Sequence, residues 1–286
     1  MPVEPPVVSP RTLVEAYSLL AADDYRPVAG GTDLLVEITG ELGEPPERVL
    51  DIWHLDELRG IRMESNALVL GALTTYAEMR RSPLVAEFLP AFAEAAATIG
   101  AAQIQNRATI GGNAIHASPA GDMLPLLLAC DAQLVVGGAQ GERWVAARDF
   151  WPAYRRTALA PTELLLRICI PLATGRHVRY RKVGGRRAQA ISKVVMALAW
   201  QADDAVDAPW RDVHLALGSV AATPIRAPRT EAVLEGSAPD EPTADRAAST
   251  LASEINPIDD VRSSADYRRA VAARVLHRLI REQGGW

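Results

Sequence analysis

Cysteine is scarce in this sequence: Cys130 and Cys169 are the only two in 286 residues. They stand far apart in apolar surroundings, which predicts buried free thiols in a reducing, cytoplasmic compartment and not a disulfide framework. An iron–sulfur cluster of the common kinds takes about four cysteine ligands, so the chain cannot hold one alone. Aromatic residues make up 5% of the chain, and its six tryptophans are scattered, a distribution that suits core packing and not a substrate cage. No apolar run approaches the roughly 20 residues of a membrane helix. The N-terminal MPVEPPVVSP has no positive segment leading into an apolar one, so no secretory signal is expected. Nor is there an excess of positive charge. The net charge of -5 argues against nucleic acid as a partner, since no basic stripe would neutralise phosphates.

What is present fits a globular protein with a sizeable core, 49% apolar and 23% charged. The length exceeds what one compact core usually holds and predicts two or three domains. Ser9 and Pro10 predict the cap and first turn of a helix that carries Leu13, Ala16, Tyr17 and Leu20 on one face. Residues 27–29 read as a short strand ended by Gly30 and Gly31, after which Thr32 and Asp33 open a second helix. Strand character returns at 49–53 and 67–70. Thr75 and Glu78 form a capping box. Residues 83–99 are alanine-rich and helical in pattern, with Pro90 expected to break them.

The stretch TIGGNAIHASPAGD, residues 109–122, carries no helical or strand period and reads as a glycine-bent loop. An apolar helix is expected at 123–129 and strands at 132–136 and 164–170. The best boundary follows at 171–175, where a proline, small residues and a glycine precede a basic stretch holding Arg179, Arg181, Lys182, Arg186, Arg187 and Lys193. That stretch could bind an acidic partner or face water. Beyond the boundary, three strand patterns (178–183, 194–201, 213–220) are followed by three helical ones (229–234, 243–255, 266–281). Strands followed by helices without alternation predict an α+β domain. No internal repeat is found.

Two glycine pairs carry the chemical signal. AGGTDLL (29–35) sets backbone amides ahead of a helix N-terminus, where an anion is favoured, and TIGGN (109–113) offers a second set. One such loop is more often a plain turn; two of them point to a dinucleotide diphosphate. Neither matches G-x-G-x-x-G, so a Rossmann fold is disfavoured. His116 has no second ligand at metal spacing and reads as a polar loop residue near the cofactor. No Ser–His–Asp set, catalytic carboxylate pair or activated cysteine is evident, so a bound cofactor would have to supply any redox chemistry.

AGGTDLL, IGAAQIQNRATIGGNAIHASPAGD (99–122), YRKVGGRRAQAISKV (180–194) and YRRAVAARVLHRLI (267–280) together resemble the FAD-binding medium subunit of the molybdenum hydroxylases, the family of xanthine dehydrogenase and aerobic carbon monoxide dehydrogenase. The resemblance covers nearly the whole chain in order. It implies an α+β protein with two N-terminal α/β subdomains of the vanillyl-alcohol-oxidase-like (PCMH-type) FAD-binding fold, at 1–60 and 61–174. A C-terminal α+β domain at 175–286, with a three-to-four-stranded antiparallel sheet and helices, would close over the flavin.

By the family pattern, Val28, Ala29, Gly30, Gly31, Thr32, Asp33 and Leu34 would wrap the diphosphate of FAD, and Thr109, Ile110, Gly111, Gly112 and Asn113 would meet it from the other side. Asp122 would accept from ribose hydroxyls at the adenosine end, and Lys182 would lie near the isoalloxazine and favour the reduced, anionic flavin. Ile99 stands where some members have an aromatic residue against the cofactor. Leu165 falls in a segment expected near the flavin ring.

The implied partners are a large subunit with a molybdenum cofactor and a small subunit with two 2Fe–2S clusters, in a dimer of heterotrimers. Electrons from the large subunit would leave through this chain to NAD, a quinone or oxygen. Alternative readings are a stand-alone flavin-dependent oxidase and a flavin-free scaffold subunit.

Overall fold

The structure, a computed structural model, describes residues 5–40, 44–186, 188–203, 205 and 207–286. Arg187 of the basic stretch and the first four residues lie outside them. Among the described residues, no helix is long and apolar enough to cross a membrane.

The chain begins with β1 (Val7–Val8), α1 (Leu13–Ala22), β2 (Arg26–Val28), α2 (Leu34–Thr39) and β3 (Val49–Asp51). The three strands form a parallel sheet in the order β1-β3-β2. Ala16 and Leu20 of α1 are buried with Leu50, Ile52, Leu55 and Leu58 in a small core. The cap of α1 differs from expectation. Thr12, and not Ser9, accepts the amide of Glu15, while Ser9 Oγ donates to Asp51 across the sheet. Ser9 lies too far upstream to reach the orphan amides of a helix that starts at Leu13.

A second sheet is antiparallel, in the order β4-β5-β8-β6-β7. Its strands are β4 (Ile61–Glu64), β5 (Ala67–Gly71), β6 (Gln133–Gly138), β7 (Gly141–Ala146) and β8 (Leu164–Pro171). Its helices are α3 (Tyr76–Arg81), α4 (Pro83–Phe88), α5 (Pro90–Thr98), α6 (Ala102–Gln105), α7 (Ile110–His116), α8 (Leu124–Ala129) and α9 (Ala147–Phe150). Pro90 does divide the alanine-rich stretch, because α4 stops at Phe88 and α5 restarts with the proline in its first turn. The expected loop at 109–122 contains α7. Thr109 caps that helix by accepting the amide of Gly112 at 2.9 Å, so the glycine pair lies in its first turn.

The third sheet is antiparallel, in the order β12-β11-β10-β9, from β9 (Arg176–Gly184), β10 (Ser192–Gln201), β11 (Arg211–Gly218) and β12 (Ile225–Arg226). Helices α10 (Pro228–Leu234), α11 (Glu241–Glu254) and α12 (Ala265–Gly284) complete it. Strand β10 is apolar almost throughout because both its faces are covered. Val194, Met196, Leu198 and Trp200 face the core shared with α11 and α12. Val195, Ala197 and Ala199 join the core of the middle layer. The C-terminal sheet is thereby packed directly against α8.

One polar cluster marks that junction. Asp131, just after α8, is met by His214 Nδ1 at 3.1 Å and lies 3.6 Å from Arg226 Nη1 and 3.9 Å from Arg176 Nη2, three groups from the C-terminal sheet. Burial pushes the Asp131 carboxyl up, but its hydrogen bond and attraction to His214, then Arg226 and Arg176, outweigh this and hold it below its ordinary value. A depressed carboxylate contributes stability above its unfolded pKa, and that stability is lost as pH falls through the lower folded value. The contribution should therefore fade below about pH 4. Asp131→Asn should flatten the acid limb of a stability-versus-pH curve, with an effect at pH 7 under about 1 kcal/mol because the carboxylate is partly exposed. Denaturant titrations from pH 3 to 7 check it; identical acid limbs would contradict the assignment.

Candidate functional site

Between the first two sheets runs a cleft of about 320 Å³, a size ordinary for a small-molecule site. One wall is the turn from β2 into α2. Gly30 admits no side chain there, since a Cβ would lie 1.9 Å from the carbonyl oxygen of Arg107. Gly31 turns the chain with φ +76°, in the left-handed region that favours glycine. Among the described residues, the amides of Gly30, Gly31, Thr32, Asp33 and Leu34 donate to no protein acceptor.

The opposite wall is built differently. Ile110 N donates to Thr74 O, Gly111 N to Ala72 O and Asn113 N to Thr109 O, while Gly112 N serves the Thr109 cap. The two glycine pairs are therefore unequal: free amides come from AGGTDLL, whereas those of TIGGN are consumed by the cap and by contacts to the 72–74 segment. What α7 offers the cleft is the flat backbone at Gly112 and the side chain of Asn113, whose Oδ1 is inaccessible to water and has no hydrogen-bond partner among the described residues. Trp151 Nε1 donates to Ala114 O at 2.9 Å and pins the helix from behind.

Val28, Ala29, Gly30, Gly31, Thr32, Asp33, Leu34, Ile99, Thr109, Gly111, Gly112, Asn113 and Leu165 all line this cleft. Ile110, Asp122 and Lys182 do not. Ile110 is fully buried in the middle core, because the first turn of α7 directs it inward. Asp122 and Lys182, expected at opposite ends of a dinucleotide, are paired with each other, Lys182 Nζ lying 2.7 Å from Asp122 Oδ2. Lys182 also donates to Thr98 O at 3.0 Å, and Ser192 Oγ donates to Asp122 Oδ1. Burial raises the Asp122 carboxyl in spite of Lys182 and Ser192, both of which pull it down. A pair this close cannot serve two ends of an extended ligand. Of the basic stretch, Arg181 is engaged by Glu282 of α12 at 2.7 Å, and Arg186 by its own loop carbonyls.

Sequence reasoning missed Tyr76 and Leu73, which line the cleft from the segment after β5. Tyr76 is fully buried, and burial, followed by the nearby Asp122 and Asp33 charges, pushes its hydroxyl well above its ordinary value. Its place directly after the capping Thr75 was the available signal, though nothing in the sequence shows which way the ring faces. His116 also lines the cleft; its Nδ1 lies 2.9 Å from Asp33 Oδ1.

Unpaired amides on one wall of a mainly apolar cleft suit a diphosphate with a largely apolar ring system. The family described as the FAD binding domain in molybdopterin dehydrogenase matches residues 2–173. The family described as the CO dehydrogenase flavoprotein C-terminal domain matches residues 179–283. The chain belongs to the FAD-binding medium subunits of the molybdenum hydroxylases. It is 34% identical over 277 residues to the carbon monoxide dehydrogenase medium chain of Afipia carboxidovorans, covering 95% of this chain and 93% of that one. It is 32% identical to the nicotinate dehydrogenase FAD-subunit of Eubacterium barkeri, over 95% and 93% of the two chains.

The fold of this medium subunit superimposes on a chain of carbon monoxide dehydrogenase from Hydrogenophaga pseudoflava with a TM-score of 0.91 at 32% identity, over 97% of this chain and 96% of that one. These near full-length matches to dehydrogenase subunits fit neither a stand-alone oxidase nor a scaffold without flavin. They fit the antiparallel C-terminal sheet and the FAD-binding layers in front of it.

Proposed function

We propose that this medium subunit is the electron-exit module of a molybdenum hydroxylase and holds FAD in the cleft between its first two sheets. The observation that carries the reading is the row of unpaired amides from Gly30 to Leu34, in a cleft that Gly112 and Asn113 also line. Bound there, FAD would supply the redox chemistry that connects 2Fe–2S clusters of a small subunit to NAD, a quinone or oxygen. The protein supplies position and electrostatics. The amides of Gly30 to Leu34 would neutralise the diphosphate, and Asn113 Oδ1 would accept a ligand hydroxyl or N–H. Ile99 and Leu165 would exclude water from the rings. Asp122 and Lys182 would act as one unit, held by Ser192 and Thr98, and Tyr76 would stay protonated as a donor.

The division of the chain at 60/61 and 174/175, a large subunit carrying the molybdenum cofactor, assembly as a dimer of heterotrimers and residence in the cytoplasm belong to the same reading. They are supported by the three sheets, the medium-chain relatives and the two buried free thiols. A visible spectrum tests it. The purified subunit should show flavin bands that bleach only when partner subunits and their substrate are added. A chain that never turns yellow on reconstitution with FAD would overturn the proposal.

A further inference from the structure

The two walls of the cleft come from different sheets, so something must set their spacing. His116 is one side chain that reaches across. It ends α7, one turn after Asn113 on the same face of the helix, and both line the cleft. The chain leaves α7 through Ala117, which is buried in the left-handed region at φ +50°, so the departure of the backbone beside His116 is fixed by the surrounding core.

From there Nδ1 lies 2.9 Å from Asp33 Oδ1, on the turn that carries the free amides, and Nε2 lies 3.7 Å from Glu37 Oε1, one turn further along α2. Nε2 is inaccessible to water and makes no hydrogen bond among the described residues. Arg155 Nη1 lies 3.3 Å from the same Glu37 oxygen. The other charged and titratable groups around this point are Glu163, which lines the same cleft, Arg26 and Glu44, which line the adjoining hollow, and Tyr76, which feels the Asp33 charge.

We propose that His116 is a positioning residue, a latch that fastens the Asn113 wall to the free-amide turn and makes FAD retention depend on pH. The proposal rests on FAD occupying this cleft. The imidazolium serves both carboxylates, with Nδ1–H donating to Asp33 and Nε2–H facing Glu37. The neutral ring has one proton to give, and with it on Nδ1 the Nε2 lone pair is turned towards the Glu37 carboxylate. Imidazole is the side chain that changes charge between about pH 5 and 8. The FAD diphosphate keeps its charge over that range and contributes no step of its own. Retention is therefore strongest at the acidic end of the range and weakens as pH rises.

The test is equilibrium FAD titration of the full chain, stripped of flavin, from pH 5.5 to 8.5, followed by fluorescence quenching. Wild type should bind roughly tenfold more weakly at the top of the range than at the bottom, the size of one lost charged contact of about 1.4 kcal/mol. His116→Ala should bind weakly at every pH, without the slope. His116→Gln, which can still donate to Asp33, should recover part of the affinity and none of the slope. Glu37→Gln, which removes the carboxylate facing Nε2, should flatten the curve while binding well, and it stands in if the alanine variant fails to fold. Parallel pH curves for wild type and the folded variants would overturn the latch. Absence of FAD binding by wild type would instead overturn the assignment of the cleft.

Discussion

Gly112→Val is expected to strip FAD from a chain that remains folded. A Cβ at this position meets only Thr109 Oγ1, at 3.0 Å, so the capping hydroxyl must give by a few tenths of an ångström. That costs about 1 kcal/mol if the cap is weakened. The neighbouring glycines would be poor probes. A Cβ at Gly111 would lie 2.5 Å from Ala72 O, and one at Gly30 1.9 Å from Arg107 O, both backbone atoms in the cleft walls. At Gly112 the added isopropyl group enters the cleft itself, opposite the free amides. Loss of close backbone approach should weaken FAD binding about 100-fold or more, about 2.7 kcal/mol. Flavin absorbance per chain measures occupancy, and circular dichroism with a melting curve measures folding. Full occupancy would remove Gly112 from the diphosphate wall.

Lys182→Met should be strongly destabilising. The side chains of Lys182 and Asp122 are 8% and 11% exposed, so the remaining carboxylate would be buried with Ser192 as its remaining hydrogen-bond donor. Breaking such a pair from one side costs about 3–5 kcal/mol, although the intact pair itself adds little net stability. Burial already raises the Asp122 carboxyl with Lys182 present, and without that cation it must rise further. A group raised in the folded state favours folding below its unfolded pKa and loses that advantage as pH rises through the folded value. The variant should therefore be closest to wild type near pH 4 and fall behind as pH increases. Adding Asp122→Asn should restore most of the loss at pH 7. Urea midpoints at pH 4.5 and 7.5 decide; an equal deficit at both would mean that lost packing, and not the stranded carboxylate, dominates.

Much of the fold is legible in the sequence, and the failures have physical causes. β10 reads plainly because both faces are covered, leaving an uninterrupted apolar run. β7 does not, since GERWVA lies at a sheet edge with most side chains in water and shows no alternation. β4 fails for the same reason, as most of IRME is exposed. α7 was hidden by its own cap and glycine pair, which mimic a loop in composition while sitting in the first turn of a helix. In the cleft, the glycines marked the right segments, but amide use could not be read from them: whether a backbone N–H is free depends on residues 72–74, nearly forty positions away. The joining of Asp122 to Lys182 is likewise a matter of tertiary distance, which the family pattern of separate roles obscures.

The Asp122 contacts also bear on how the protein is made. Lys182 lies on β9 and Ser192 opens β10, so both partners of this carboxylate leave the ribosome at least 60 residues after it. Domains tend to fold as they emerge, N-terminal first. Here the early layers must wait with an unneutralised acid at a surface that later becomes interior. A nascent chain released before Ser192 would present that acid, and the exposed apolar face of α8 beside it, to chaperones and proteases. The Asp122 carboxylate is thus satisfied only once β9 and the start of β10 have been made and packed against the earlier layers.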